Sequence, residues 1–189
     1  ITTDGTNLYV TDGHTIRKIV ISTRVVTTLA GSAYVGDIDA TGTSAKFYGP
    51  KGITTDGTNL YVAEVTNDKI RKIVISSGVV TTLAGSGSEG STDGTGTSAK
   101  FFTPEDITTD GTNLYVADTW NHKIRKIVIS SGVVTTLAGS GSSGSTDGTG
   151  TSASFWNPRD ITTDGTNLYV ADYINSKIRK IVISSGVVT

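Results

Sequence analysis

The chain is organised by short apolar runs that recur with a long and nearly fixed spacing. The segment ITTDGTNLYV begins at Ile1, Ile53, Ile107 and Ile161, at intervals of 52, 54 and 54 residues. In the third copy the β-prone segments are ITT at 107–109, LYVAD at 114–118, KIRKIVIS at 123–130 and VVTTLA at 133–138. No segment has the 3.6-residue apolar period of an amphipathic helix, so we predict almost no helix.

Turn-forming residues separate these segments and predict an up-and-down sheet. DGTN follows the first segment in every copy, and SSG separates the third from the fourth in three copies. The third and fourth segments carry apolar residues on both faces, as expected of a sheet packed between two others. Four short strands per repeat are typical of a propeller blade. We therefore predict an all-β propeller of four blades, each of four antiparallel strands: 1–52, 53–106, 107–160 and 161–189, the last truncated in its outer strand.

The repeat is longer than the period of about 40–45 residues that is typical of WD-type blades, and the excess lies in a Gly/Ser-rich connection, 85–104. This connection is either a flexible linker or an ordered loop. An Ala-x-Phe pair recurs in it three times, and a flexible linker has no need of a repeated apolar pair. We therefore predict an ordered loop whose phenylalanine fills a gap between blades: Phe47, Phe101 and Phe155. The Arg-Lys pair of the third strand is expected near a blade edge, with packed stems and hydrated head groups.

The repeat resembles the NHL repeat. The residues that carry the resemblance are D-G-x-G, A-x-F, P-x-x-I, D-G-x-N-L-Y-V-A-D and N-H-x-I-R-K-I, and Asn121-His122-Lys123 stands at the signature position. The resemblance covers essentially the whole chain. It implies a β-propeller, most often of six blades, with functions that range over protein binding, RNA binding, carbohydrate-linked roles and a few enzymes.

The chain departs from that family pattern in its number of repeats and in its first copy. It has only four repeats, and the first copy lacks two residues between Asp12 and Ile16 and has Arg24 in place of a glycine. The chain has no initiator Met and no signal peptide, which suggests a processed or excised piece. The ring is then completed by further blades, by a second chain, or by loose closure of four blades.

Composition excludes several function classes. The 16 basic and 17 acidic residues give a net charge of −1, and no run of basic residues exceeds an Arg-Lys pair, so nucleic acid is not an expected partner. Cysteine and methionine are absent, which excludes disulfides and zinc–thiolate sites and suits an extracellular or cell-surface location in a bacterium. No run approaches the roughly 20 apolar residues of a membrane span, so no membrane is expected.

Four features of the sequence could be taken for a site of catalysis, a cofactor or a metal, and each is better explained in another way. GSGSEG at 85–90 matches a dinucleotide fingerprint, but no helix follows it. DIDATG at 37–42 resembles the start of a calcium loop, but its twelfth position is Tyr48; its Asp39 is interpreted as a turn residue, like Asp93 and Asp147. Two histidines cannot form a three-histidine metal site. Asp118 recurs as an acidic residue in every blade, which favours a structural hydrogen-bond partner over an acid–base role. We expect no enzyme activity, cofactor or metal.

Differences between the repeats are concentrated at one end of the predicted blades. In an up-and-down blade, the turn between strands two and three and the end of the interblade connection share that end, which we call the variable face. The DGTN and SSG turns share the opposite end, the constant face. Drift in loops is one explanation of the differences, and a binding surface is the other; aromatic and charged residues favour the second. The candidate binding residues are Tyr48, Lys51, Phe102, Glu105, Trp120, Asn121, His122, Trp156, Asn157, Arg159 and Tyr173.

Two functions remain open at this point. One is a non-enzymatic binding module that presents the variable face to a carbohydrate or protein partner. The other is a self-assembly element: a partial propeller that closes or polymerises with copies of itself, as a homo-oligomer or with further propeller repeats.

Overall fold

The computed structural model describes all 189 residues and consists of four antiparallel sheets, one for each repeat. Blade 1 contains β1 Thr2–Thr3, β2 Asn7–Asp12, β3 Thr15–Val20 and β4 Val26–Gly31. Blade 2 contains β5 Pro50–Thr55, β6 Asn59–Glu64, β7 Lys69–Val74 and β8 Val80–Ala84. Blade 3 contains β9 Gly94–Thr95, β10 Pro104–Thr109, β11 Asn113–Asp118, β12 Lys123–Val128 and β13 Val133–Ala138. Blade 4 contains β14 Gly148–Thr149, β15 Pro158–Thr163, β16 Asn167–Asp172, β17 Lys177–Val182 and β18 Val187–Val188.

Helix is limited to four single 3₁₀ turns: Gly42–Ser44, Gly96–Ser98, Thr119–Asn121 and Gly150–Ser152. None of these is long or apolar enough to cross a membrane. The prediction of an all-β propeller with almost no helix is confirmed. The inner strands β5, β10 and β15 begin three residues before the repeat boundaries assumed from the sequence.

The blades are arranged side by side in chain order, with their inner strands adjacent. Strand β1 packs on β5, β5 on β10, and β10 on β15. Each pair of neighbouring blades encloses one hydrophobic cluster. Between blades 2 and 3, the cluster joins Tyr61 and Ile70 of blade 2 to Leu114 and Val134 of blade 3. We call the side of a blade that meets the next blade its forward face, and the side that meets the preceding blade its backward face.

The interblade connection is ordered, as predicted. It contributes Ala99 and Phe101 to the cluster between blades 2 and 3, and the equivalent pairs do the same at the other two interfaces. Phe47, Phe101 and Phe155 are completely buried, which confirms the prediction for them. The same connection then adds the short strand β9 to the outer edge of blade 3, because Gly94 and Thr95 pair with Val134 and Val133.

The prediction that the arginine of the third strand has a hydrated head group is wrong. Arg71 and Arg125 are completely buried, and Arg179 nearly so. The Arg125 guanidinium donates to Asp118 at 2.8 Å, to Asp93 at 2.7 Å and to two backbone carbonyls of the connection. It also lies 5.2 Å from the centre of the Phe101 ring. The arginine is buried because the connection folds back over it.

The interpretation of Asp39, Asp93 and Asp147 as turn residues is also wrong. Each forms an ion pair with the buried arginine of the following blade. Asp93 additionally accepts a hydrogen bond from the backbone N–H of Thr136, on the outer strand. These carboxylates therefore fasten the connection to the blade that it precedes.

The constant DGTN turn has a structural reason to be identical in all repeats. The Asp56 carboxylate accepts hydrogen bonds from the backbone N–H groups of Thr58 and Asn59, at 2.8 and 2.6 Å, and from the Tyr61 hydroxyl at 2.7 Å. Gly57 has a φ of +87°, which favours glycine. The same bonds recur around Asp4, Asp110 and Asp164.

Candidate functional site

Strand pairing places the predicted site residues at one end of the molecule. In blade 3, Pro104 pairs with Asp118 and Asp118 with Lys123, so the inner strand begins where the second strand ends. The turn after Asp118 and the last residues of the connection therefore lie together. This is the variable face, and the DGTN turns lie at the opposite end of the same strands.

Exposed aromatic side chains are the main feature of the variable face. Tyr48, Trp120, Trp156 and Tyr173 are each between 42% and 54% exposed. Phe102 is half-buried beneath Trp120, with ring centroids 5.7 Å apart and an interplanar angle of 36°. Such rings offer flat apolar surfaces to a partner, while their edges remain in water.

Two further contacts orient these aromatic rings. The Arg159 guanidinium lies 3.7 Å from the centre of the Tyr173 ring, a cation–π contact. The Tyr48 ring meets His14 edge to face, with centroids 5.9 Å apart. Tyr48 and Tyr173 are therefore held against a neighbouring side chain while half of each remains accessible.

Buried carboxylates fix the backbone that carries the aromatic residues. The backbone N–H of Phe102 donates to Asp118 at 2.8 Å, and that of Trp156 donates to Asp172 at 2.7 Å. Burial raises the pKa of Asp118 to about 6, and the Arg125 charge and the hydrogen bonds oppose that rise. The predicted structural role of Asp118 is confirmed, because all its contacts are to Arg125, Asn121 and the backbone.

Asn121 and His122 are engaged inside the fold. The Asn121 amide donates to the Gly90 carbonyl at 2.7 Å and to Asp118 at 2.8 Å. His122 has a φ of +54°, and its Nδ1 accepts a hydrogen bond from the backbone N–H of Asn157, in blade 4, at 3.2 Å. Burial lowers the pKa of His122. Its neutral ring links two blades, and Asp68 does the same through the N–H of Thr103.

Charged residues form a row across the inner strands. Lys51 forms an ion pair with Glu105, and the Nε atom of Arg159 lies 3.7 Å from the other oxygen of the same carboxylate. Glu105 is buried, whereas Lys51 and Arg159 are more accessible. One buried acid thus pairs with two bases from the neighbouring blades.

A cavity of about 300 Å³ lies beside this row, at the centre of the variable face. Its polar lining includes Lys51, Glu105, Asp106 and Asp160. Gly52 is required there, because a Cβ at this position would lie 2.5 Å from the Asp106 Cα. The sequence did not single out this cavity, although Gly52, Asp106 and Asp160 directly follow the variable Lys51, Glu105 and Arg159 and were a usable signal. No group of three His, Asp or Glu side chains is arranged to hold a metal ion.

Curated relatives share the repeat sequence. No protein-family model matches the chain. Protein SUPPRESSOR OF QUENCHING 1, chloroplastic, from Arabidopsis thaliana is 30% identical over 187 residues, covering 92% of this chain and 18% of that protein. Human NHL repeat-containing protein 2 is 31% identical over 161 residues, covering 77% of this chain and 22% of that protein. The chain thus spans about a fifth of the length of these relatives.

Solved structures share the architecture. A structural genomics protein of unknown function from Bacteroides thetaiotaomicron has a TM-score of 0.78 and 26% identity over 95% of this chain and 45% of its own. An auxiliary nutrient binding protein from the same organism has a TM-score of 0.70 and 22% identity, over 92% of this chain and 44% of its own. The structure of a nidogen/laminin complex matches with a TM-score of 0.68 and 17% identity, over 99% of this chain and 61% of its own. The repeat sequence, the four sheets and these likenesses agree: the chain belongs to the NHL-repeat β-propeller family.

Proposed function

We propose that this protein is a non-enzymatic binding module whose variable face takes a polar, uncharged partner, with a glycan as first candidate and a protein as second. The observation that carries the proposal is the group of four half-exposed aromatic rings at one end of the blades. Aromatic side chains and arginine are the commonest anchors of recognition surfaces. Trp120 rests on Phe102, and Tyr173 packs against Arg159, so neither needs to be ordered when the partner arrives.

The charges of the face support a neutral partner. Lys51 and Arg159 both lie at the Glu105 carboxylate, and Asp106 and Asp160 line the adjacent cavity. A polyanion would need several free basic groups and would bind with a steep salt dependence. A sugar instead stacks on aromatic rings and exchanges hydrogen bonds with carboxylates and amides.

The hydrogen bonding of the face supports a role without catalysis. The neutral Nδ1 of His122 is occupied by a backbone N–H, and Asp118 is saturated by Arg125, Asn121 and the backbone. Both groups therefore have hydrogen-bonding roles within the fold, which supports binding as the function of this face. The fold of the Bacteroides nutrient binding protein is compatible with the same kind of role, and with an extracellular or cell-surface location.

The test compares paired substitutions on the two faces. A glycan array and a pull-down identify the partner of the unmodified chain. Trp120→Ala with Trp156→Ala is expected to weaken binding about tenfold or more. The control, Thr58→Ala with Thr112→Ala, removes exposed side chains of the constant face that make no side-chain hydrogen bond, and is expected to leave binding unchanged. Binding that survives the first pair and is lost with the second overturns the proposal. A steep loss of binding with added salt identifies a polyanion and overturns the proposed partner class.

A further inference from the structure

The junction between blades 3 and 4 differs from the other two junctions on the variable face. Here the backbone N–H of Asn157 donates to His122 Nδ1 at 3.2 Å. The equivalent bond between blades 2 and 3 runs from the N–H of Thr103 to an Asp68 carboxylate oxygen at 2.7 Å. Between blades 1 and 2, Gly49 stands at the position of Asn157 and offers no side chain. The junction of blades 3 and 4 therefore combines a histidine with a side-chain amide, and the other two do not.

The hydrogen bond between Asn157 and His122 fixes which imidazole nitrogen carries the proton. Because Nδ1 accepts a backbone N–H, the neutral ring has its proton on Nε2. The Nε2–H group has no acceptor within the protein, and the Asn157 side-chain amide forms no hydrogen bond either. Neither of these polar groups is enclosed by the fold. The junction thus presents one fixed donor beside an amide that can both donate and accept.

Both tryptophans of the chain are attached next to this hydrogen bond. Trp156 directly precedes Asn157, and Trp120 lies two residues before His122. Consecutive Cα atoms are about 3.8 Å apart, so each indole is carried within about 8 Å of backbone from the hydrogen-bonded pair. Trp120 is 54% exposed and Trp156 is 44% exposed. The junction of blades 2 and 3 has Thr66 in place of Trp120, so the two accessible indoles occur at one junction alone.

These groups match the chemistry of a neutral sugar ring. A pyranose presents C–H groups that stack on an aromatic ring, and its hydroxyl groups lie around its edge. Two adjacent hydroxyls supply an acceptor for the His122 Nε2–H group and both a donor and an acceptor for the Asn157 amide. Neither polar group is charged, so an anionic sugar would lose hydration here without meeting an opposite charge.

We propose that the junction of blades 3 and 4 is the sugar subsite of the variable face, where two indole rings stack on a pyranose and His122 and Asn157 bind two of its adjacent hydroxyl groups. This inference rests on the proposed binding function and names its ligand class: a neutral pyranose with two adjacent free hydroxyls. The contacts that define the subsite, from the Phe102–Trp120 ring pair to the bond between Asn157 and His122, all lie within residues 102–157. The subsite is therefore formed by blades 3 and 4 alone.

Intrinsic fluorescence tests the subsite directly, because Trp120 and Trp156 are the two tryptophans of the chain. The probes are the methyl glycosides and linear trisaccharides of glucose, galactose and mannose, each titrated into the full chain. At least one probe is expected to change the emission in a saturable way. Trp120→Phe and Trp156→Phe each leave a single reporter ring, and both single-tryptophan forms are expected to respond to that probe. A response from only one of the two forms overturns the two-ring subsite.

Two substitutions remove the polar groups of the subsite while keeping the backbone. His122→Asn retains an Oδ1 acceptor for the Asn157 N–H, as Asp68 does for Thr103, but removes the Nε2 donor. Asn157→Gly removes the amide at a position where the backbone φ is +52° and where blade 2 already has Gly49. Each is expected to weaken binding of the responding probe roughly three- to tenfold, with an unchanged circular dichroism spectrum. The matched control is Thr103→Gly, which makes the equivalent change between blades 2 and 3 and is expected to leave the affinity unchanged.

The outcomes separate the failure of this subsite from the failure of the proposed function. A glycan that binds without changing the emission of either tryptophan, or whose affinity either variant leaves unchanged, overturns the subsite but leaves the variable face as a binding surface. A partner that proves to be a protein, or a panel in which no neutral sugar binds, overturns the sugar assignment. Stronger binding of methyl glucuronide than of methyl glucoside overturns the neutral ligand class. Binding that is lost only with the constant-face pair of substitutions overturns both the subsite and the proposed function.

Discussion

Arg125 and its equivalents are the residues that decide how the blade and the connection fit together. The guanidinium neutralises Asp118, which is buried within the blade, and Asp93, which belongs to the connection. A buried ion pair adds little net stability over a well-packed apolar pair, but removing one partner leaves an uncompensated charge, at a cost of about 3–5 kcal/mol. The arginine is therefore expected to be more sensitive to substitution than its place on a repeated β-strand suggests.

The first prediction is that Arg125→Leu lowers the free energy of unfolding by about 3–5 kcal/mol at neutral pH, and by less in acid. Without the guanidinium, the pKa of Asp118 rises further above the ordinary value of 3.8. The native carboxyl is then protonated at a pH where the unfolded one is not, so unfolding releases a proton. The unmodified protein shows the same release only up to the Asp118 pKa of about 6, so the loss of stability relative to it grows as pH rises above about 6 towards the higher folded pKa of the variant, and part of it is regained on acidification.

Urea denaturation of both proteins between pH 4.5 and 8 measures this difference. Arg17→Leu is the matched control, because Arg17 and Asp12 form only an exposed pair at 3.6 Å in blade 1. That pair is worth about 0–1 kcal/mol. A loss for Arg125→Leu that is the same at every pH would contradict the assigned role of Asp118.

For the interblade connection, the sequence predicts that the segment is ordered but does not predict the path that it follows. Its order could be predicted from the recurrence of Ala-x-Phe, because a residue that is buried in each repeat remains apolar even when the surrounding residues are polar. Its path could not, because Asp93 precedes Arg125 by 32 residues and only folding brings them together. The hydration of the arginine was mispredicted for the same reason: a β-strand pattern does not reveal what covers its edge.

The candidate site shows a similar division. The shared end of the blades follows from strand alternation, and the exposed aromatic residues could be named from the sequence. The hydrogen bonds that Asn121 and His122 form within the fold could not be predicted, because their partners Gly90 and Asn157 lie in other parts of the chain. The hydrogen bonds within the DGTN turn explain why its sequence is the same in every repeat. The contrast between variable and constant turns is therefore weaker support for a binding face than the exposed aromatic rings are.

The second prediction concerns the phenylalanine of the connection. Phe101 is completely buried between blades 2 and 3, so Phe101→Ala is expected to cost about 3–5 kcal/mol of unfolding free energy. The neighbouring Phe102 is only half-buried, and Phe102→Ala serves as control with a smaller loss. Chemical denaturation measures both; losses of equal size, or a loss below about 1 kcal/mol for Phe101→Ala, would mean that the connection does not stabilise the array.

At the scale of the whole molecule, stability is expected to vary from blade to blade. Each blade contacts only its neighbours, so the array behaves as a row of units joined by nearest-neighbour interfaces. Blades 2 and 3 are covered on both faces, whereas blades 1 and 4 each leave one face open. Local opening therefore begins at the ends.

The third prediction is that hydrogen exchange is slower in β11 and β12 than in β16 and β17, although the corresponding strands have identical sequences. Mass-spectrometric hydrogen exchange at low protein concentration measures this directly. The matched sequences serve as their own control, since intrinsic exchange rates are the same for both strand pairs. Equal protection in the two blades would show that the open face costs no stability.

The clamp around Arg125 also defines where one blade can be cut from the next. Its three members, Asp93, Asp118 and Arg125, lie within 33 consecutive residues that begin in the connection. A cassette that begins at Ile107 would leave Asp93 behind and carry the aspartate of the following blade instead. A cassette that runs from Ser86 to Gly139 retains the buried Phe101, the clamp and all four strands of a single blade. Recombination or design can therefore lengthen or shorten the array with least disruption when the exchanged unit starts within the connection, at Ser86, and not at the start of the sequence repeat, at Ile107.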